Sequence, residues 1–398
     1  MKSKNILFLA ILFAIISMVG IACKKEEKAA TIDPPAGPIT STTELTSLKV
    51  TTAPTLDGNI DAAWDNCNKL TGLASVPNVV DFAFFTGESY NFTMRSMYDA
   101  ANMYFLVEYK DPKESVDRES WYFNASTKLW KQQNKYATSA TDKFYEDKFA
   151  FMWPTSTATA EYNNNTCFST CHGVNQSLGY STGTKHYAST GEVLDLWHWK
   201  RVRTGANNQV DDQKCISIAD VNNPSTTEKG EGGRGSDAKT AGGYSDNKQS
   251  LTITGTTTSV SVPKYVIPGK TGYSSISQAE LDNGTAKLIT AVDANGILTY
   301  AGGTIDPTSD TGYENGTGAK RFPSIVNAGS FVGSRGDITC YAKHTGTGWI
   351  IEIKRALTTS DAVNDVQFDP TKTYMFGFAI FENAAIGHGT KTNLLLKF

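Results

Sequence analysis

Two cysteines and a histidine carry the sharpest chemical signal in the chain, in the run Cys167-Phe-Ser-Thr-Cys171-His172-Gly173. Two thiols followed at once by an imidazole suit covalent haem. The thiols form thioethers to the vinyl groups, and the adjacent histidine is held under the iron as its proximal ligand. The usual spacing puts two residues between the cysteines, and here there are three. The competing reading is a local disulfide between Cys167 and Cys171, which leaves His172 a bystander. Zinc is served less well, because the other His and Cys residues do not fall in a paired ligand spacing.

A haem also needs an apolar, flat-sided pocket and, for a low-spin carrier, a second axial ligand. Glu146-Asp-Lys-Phe-Ala-Phe-Met-Trp153-Pro154 and Asp195-Leu-Trp-His-Trp-Lys200-Arg201 bracket the cysteine motif. They offer Trp153, Trp197 and Trp199 as walls, with Met152 and His198 as ligands; His186 and His388 complete the candidate set. His198 ranks first, since it sits between two tryptophans and the chain from His172 is long enough to loop over the ring and return. His186 lies in a polar Gly/Ser/Thr stretch, and His388 reaches the site only if the fold brings the C-terminal segment across. The plainer alternative makes the tryptophans core residues and has His198 bond a backbone carbonyl.

Strands must position these groups. Ser47–Thr52, Phe92–Tyr98, Met103–Lys110, Lys148–Trp153, Asp337–His344, Trp349–Arg355 and Thr373–Glu382 are short runs rich in β-branched and aromatic residues. Ile351 and Ile353 interleave with Glu352 and Lys354, and Asp99–Asn102 reads as a hairpin turn. Without long helical periodicity, the fold expected is an all-β, immunoglobulin-like antiparallel sandwich over residues 47–398. From about 221 to 318 the composition shifts to Gly, Ser, Thr and Asn, the mark of a decorated connection with a few minor strands and no second core. Asp57, Asp61 and Asp65 read as a loop-to-helix cap over an inward Trp64 in preference to a Ca²⁺ loop. Cys67, Cys215 and Cys340 allow one disulfide and one odd thiol.

The chain has 398 residues and a formal net charge of −3, from 37 Lys+Arg against 40 Asp+Glu. That balance disfavours binding to nucleic acid. Lys2 and Lys4 precede an uncharged run from Ile6 to Ala22 that ends in Gly20-Ile-Ala-Cys23. A positive start, an apolar stretch and small residues before a cysteine describe a lipoprotein signal over 1–22 with acylation at Cys23. An uncleaved spanning anchor is the alternative. Lys24-Lys-Glu-Glu27 resembles the tag that sends some Gram-negative lipoproteins to the outer face of the outer membrane, so the expected place is that membrane, surface-exposed or periplasm-facing. Residues 23–46, with Pro34, Pro35 and Pro38, form a stiff tether.

Taken together, several motifs resemble one family. They are Thr55-Leu-Asp-Gly-Asn-Ile-Asp-Ala-Ala-Trp64, Met103…Asp111-Pro112, Glu146-Asp-Lys-Phe149, Cys167…Cys171-His172, Asp195…Trp199, Asp211-Asp212, Gly336-Asp337, Gly348-Trp349…Lys354-Arg355 and Tyr374…His388. The family is the haem-binding domain shared by the ethylbenzene dehydrogenase γ subunit, cytochrome c-552 and the haem subunits of dimethyl sulfide dehydrogenase and nitrate reductase. The resemblance implies a sandwich of the family 9 carbohydrate-binding module and DOMON type that holds one haem and passes electrons. It implies no catalytic residues in this chain. The γ subunits hold a b-type haem through Met and Lys, whereas the Cys-x-x-x-Cys-His insertion implies a c-type one. A redox partner protein is implied, and an oxidoreductase complex is a further expectation. The competing class is a surface carbohydrate-binding module without haem, using Trp197 and Trp199 as sugar-stacking platforms. No nucleophile elbow, phosphate loop or metalloprotease motif is present.

The anchor is open to test. Three acyl chains hold a protein where one gives only marginal binding, so Cys23→Ser should move the mature protein into the soluble fraction on cell fractionation. Unchanged membrane association would indicate the uncleaved span.

Overall fold

Alternation of apolar and polar residues becomes a nearly all-β architecture in the structure, a computed structural model that describes residues 37–78, 80–170, 187–219, 233–270, 272–313 and 320–398. The signal and most of the tether lie outside the described residues, as do Cys23, Cys171, His172 and His186. Among the described residues no helix is long and apolar enough to cross a membrane. Ten strands carry the fold: β1 (Lys69–Ser75), β2 (Ser89–Tyr98), β3 (Asn102–Lys110), β4 (Lys148–Pro154), β5 (Val193–Lys200), β6 (Asp211–Ile216), β7 (Thr339–His344), β8 (Gly348–Ala356), β9 (Tyr374–Phe381) and β10 (Gly389–Lys397).

They lie side by side in the order β6-β5-β4-β9-β10-β1-β2-β3-β8-β7, every neighbouring pair antiparallel. β10 and β1 share a single register pair, Thr390 opposite Ser75, and there the sheet turns over on itself. The two ends also meet. Val210 N–H donates to the Ile338 carbonyl at 3.1 Å and Cys340 N–H to that of Asn208 at 2.8 Å, joining the approach to β6 with β7. The result is two packed layers, with β2, β3 and β8 facing β4, β5 and β9.

Aromatic rings fill the space between the layers. Phe105 of β3 lies 5.5 Å from Phe151 of β4 and 5.8 Å from Trp197 of β5, and Trp199 lies 5.0 Å from Trp349 of β8. Each ring removes a large apolar area from water and adds edge-to-face contacts. The Asp99–Asn102 turn forms as expected, Asp99 N–H donating to the Asn102 carbonyl at 3.0 Å. Trp64 is buried beneath the short helix Ala62–Asn66. The Asp57 and Asp61 carboxylates accept from the backbone of Asn59 and Thr55 and do not converge on an ion.

Three expectations are corrected. The chain joins the sheet before Ser47: Thr40–Ser41 and Glu44–Thr46 add in parallel to β1 and β10, so the tether ends near Thr40. The Gly/Ser/Thr-rich stretch does build a second apolar cluster, because its scattered Val262, Val266, Ile289 and Leu298 pack on aromatics from a hairpin far away in sequence, Trp121, Phe123 and Trp130. Gly296 admits that hairpin: it has φ +82°, and a Cβ there would strike Phe123. The third correction concerns the spare cysteines. Cys67 and Cys340 are free thiols in separate apolar clusters, so the anticipated disulfide does not form. Burial pushes both thiols up, Cys67 to about 11, which makes them inert at neutral pH.

Trp153 touches five rings, the nearest being Phe376 at 4.6 Å. Trp153→Ala should cost about 3–5 kcal/mol in urea unfolding, and Trp153→Phe much less. Leu73→Ala, at a side chain 46% exposed, should stay within about 0.5 kcal/mol of wild type.

Candidate functional site

Successive side chains of a strand point to opposite faces, and this rule sorts the candidate residues. On β5, Asp195, Trp197 and Trp199 face the interior with their partners on β4, Trp153, Phe151 and Phe149. Leu194, Leu196, His198 and Lys200 face the other way, beside Met152, Ala150 and Lys148. On β9 the same outer face carries Gly377, Ala379 and Phe381, paired with Met152, Ala150 and Lys148. The structure therefore brings His198 and Met152 together and sends Trp153, Trp197 and Trp199 to the opposite side. The expectation that these tryptophans line the cofactor pocket is corrected. All three are 0% exposed in the aromatic core, so Trp197 and Trp199 cannot serve as sugar-stacking platforms either.

An outer face is normally wet, yet β5 is buried along nearly its whole length on both sides. Part of the cover is the chain after β4: α1 (Ala160–Asn165) and α2 (Cys167–Thr170). Tyr162 of α1 donates its hydroxyl to the Met152 carbonyl at 2.6 Å, and the Thr170 hydroxyl points at Met152 Sδ at 3.1 Å. Cys167 sits so tightly over Gly377 that any Cβ there would overlap its sulfur. The first cysteine of the motif thus lies on the same face as Met152 and His198. Beneath it the floor is small and flat, formed by Gly377, Ala379 and Ala150. His388 reaches this face from the C-terminal side, its ring 4.4 Å from that of Phe381, which in turn stacks 5.6 Å from His198. Its Nδ1 lies 2.6 Å from the Ile386 carbonyl.

His198 is held by Gln213 of β6, whose Oε1 lies 3.2 Å from Nδ1. The Gln213 amide nitrogen points at Ser236 Oγ at 3.3 Å, so the oxygen faces the ring and can only accept. The proton then resides on Nδ1, leaving the lone pair on Nε2, which is buried without a hydrogen-bond partner. Burial, followed by the nearby cations Lys200, Lys148, Arg234 and Arg203, holds the imidazole pKa well below its ordinary value. A neutral imidazole with a free, oriented nitrogen is a metal ligand or a proton acceptor.

Positive charge surrounds it. Lys200 pairs with Asp211, which also takes Arg335 Nε at 2.6 Å. Burial raises the Asp211 pKa, but Lys200 and Arg335 outweigh it and bring the carboxyl to about 2. Lys148 is buried with Nζ on the Ala385 carbonyl at 2.9 Å and over the Phe381 ring at 4.1 Å; burial, then Arg203, hold it well below the usual lysine range. Gln213, Lys148 and the small floor were missed in the sequence. The signal for Lys148 was its even spacing from Ala150 and Met152, whereas Gln213 needed the β5–β6 register.

The sequence profile described as ethylbenzene dehydrogenase matches residues 61–393, and the chain belongs to that family. No curated protein matches it. Among solved structures it is similar to a family 9 carbohydrate-binding module from Caldicellulosiruptor kristjanssonii in complex with glucose, at 8% identity and a TM-score of 0.31, covering 89% of this chain and 95% of that one. The same module in complex with cellotriose gives 8% identity and a TM-score of 0.30, covering 89% and 93%.

Glu146, just before β4, fastens the turn after β5. Its Oε2 accepts from Val202 N at 2.6 Å, and its Oε1 takes Arg203 Nε at 2.5 Å. Burial raises its pKa, but Arg203, Arg118 and Lys148 hold it below 4.5. A folded pKa below the unfolded one means stability present above about pH 4.5 and lost as the pH falls through the folded value. Glu146→Gln should cost about 3–5 kcal/mol at pH 7, and the gap to wild type should narrow at pH 3 in melting experiments.

Proposed function

We propose that this chain is an exported electron-transfer protein that holds a c-type haem over the outer face of β4, β5 and β9. The observation that carries the reading is His198, a neutral imidazole with a buried, unpartnered Nε2 on the face where Cys167 sits. Imidazole and thioether are the donors that low-spin haem iron takes, and His198 and Met152 supply both beside a floor of small residues. Cys167 and Cys171 would form the thioethers, and His172 would be the proximal ligand. Lys148, which contacts a carbonyl and ring faces and has no carboxylate at hydrogen-bond distance, suits a propionate.

When bound, the haem supplies one-electron chemistry by cycling of its iron between oxidation states. The chain's own part is to fix the His198 tautomer through Gln213, keep the imidazole unprotonated and exclude water with α1 and α2. Membership in the ethylbenzene dehydrogenase family supports a role beside a separate oxidoreductase. The apolar N-terminal run supports a lipid anchor at Cys23, facing the surface or the periplasm.

Expressed with cytochrome c maturation factors, the protein should show a Soret band and keep haem on a denaturing gel, and Cys171→Ser should weaken or abolish that attachment. His198→Ala should turn a six-coordinate low-spin spectrum into a high-spin one. A spectrum unmoved by His198→Ala but altered by Met152→Ala transfers the distal role to Met152. Wild-type protein with no Soret band and an intact Cys167–Cys171 disulfide overturns the reading.

A further inference from the structure

The interior face of β5 ends in acid. Asp195 of β5, Asp212 of β6 and Asp365 in the loop after β8 are buried, and each offers one carboxylate oxygen within 4.8 Å of the others. Asp365 also belongs to a second such triad with Asp237 and Asp361, and Asp361 is only half buried. The cations present do not match this charge. Arg355 Nη2 lies 3.0 Å from Asp365 and 3.6 Å from Asp195, and Lys214 lies 3.3 Å from Asp237. Most telling is Asp212, 0% exposed, whose two oxygens meet no donor among the described residues and face the further carboxyl of Asp337; Asp195 Oδ1 and Asp365 Oδ1 are likewise unpartnered. A buried carboxylate without partners is costly, and a cation is the usual remedy.

We propose that Asp195, Asp212 and Asp365 bind a calcium ion, with Asp237 and Asp361 lining its route from solvent. Every donor is a carboxylate oxygen, with neither His nor Cys in either triad, which selects a hard cation over zinc. Carboxylate oxygens within 4.8 Å of one another can share Ca²⁺ at about 2.3–2.6 Å from each, whereas Mg²⁺ sheds its water reluctantly and seldom takes an all-protein cage of carboxylates. The electrostatics agree. Burial, against the pull of Arg355 and with Asp365 adding to it, pushes Asp195 up to about 7, and burial, then Asp195, hold Asp212 well above its usual range.

Full-length protein stripped with EDTA should take up about one Ca²⁺ per chain by elemental analysis and melt higher in Ca²⁺ than in Mg²⁺. Tb³⁺ should emit under tryptophan excitation, Trp197 being 5.3 Å from Arg355 Cζ, and Ca²⁺ should quench that emission. Asp212→Asn should weaken Ca²⁺ binding by about tenfold or more. Should that variant fail to fold, Asp361→Asn at the rim should show a smaller loss. Wild-type protein that binds no Ca²⁺ and melts identically with and without it overturns the proposal whatever the variants do. So does an Asp212→Asn protein that melts higher than wild type in Ca²⁺, which would mean shared protons. These readouts follow the ion and are independent of the haem reading.

Discussion

A strand turns successive side chains to opposite faces, and in most antiparallel sheets one of those faces is left to water. Val193–Lys200 has no wet face over most of its length. Its inner side chains are locked among rings from β3, β4, β8 and the loop before β9, where Phe368 sits, which fixes the backbone, and the backbone in turn fixes what the outer side chains can reach. His198 cannot move without dragging Trp197 and Trp199 through a core packed at close to crystal density. The tryptophans therefore act on the site by holding rigid the strand that presents it.

The covered outer face has an electrostatic consequence. Lys148, Lys200 and Arg203 crowd an imidazole in a buried setting, and an imidazolium would add another charge to that field. Losing the proton costs His198 little near neutral pH, since its ordinary value is 6.5, whereas charging it there would bury a cation among other cations. Neutrality wins. The same arrangement explains Gln213: a carboxylate at that position would favour the imidazolium, whereas an amide orients the ring without protonating it. Asp211, two residues earlier, is held by Lys200 and Arg335 instead.

Much of this was legible in the sequence because β-structure writes itself in local patterns. Phe92–Tyr98, Met103–Lys110 and Trp349–Arg355 are rich enough in β-branched and aromatic residues that their strands formed within a few residues of expectation. The grouping of Met152, His198 and Cys167 was legible for the same reason, since all belong to aromatic or cysteine motifs. What failed was the face assignment. Val193–Lys200 was not among the strands expected, and once it is one, the consecutive Trp197, His198 and Trp199 cannot line one pocket together. The cluster around Trp121 was illegible for another reason: its apolar residues are sparse in the Gly/Ser/Thr-rich stretch, and the rings completing it come from a hairpin more than a hundred residues away, a pairing only the tertiary fold reveals.

The outer cations and the inner acids are two sides of the same strands. Lys200 and His198 face outward on β5, and Asp195 faces inward three residues before His198; on β6, Asp211 and Asp212 divide in the same way. Charges on opposite faces of a sheet lie on the order of 10 Å apart. At an effective dielectric of about 20 this amounts to about 1.7 kcal/mol per unit charge, small beside the desolvation of either group but more than a tenfold shift in an equilibrium. The strand backbone between them, held rigid by the buried tryptophans, keeps that distance constant, and Arg355, stacked on Trp197, softens the acids from within. Whatever changes the charge of the acid cluster, proton or metal, must therefore be felt at His198 without any movement of the chain.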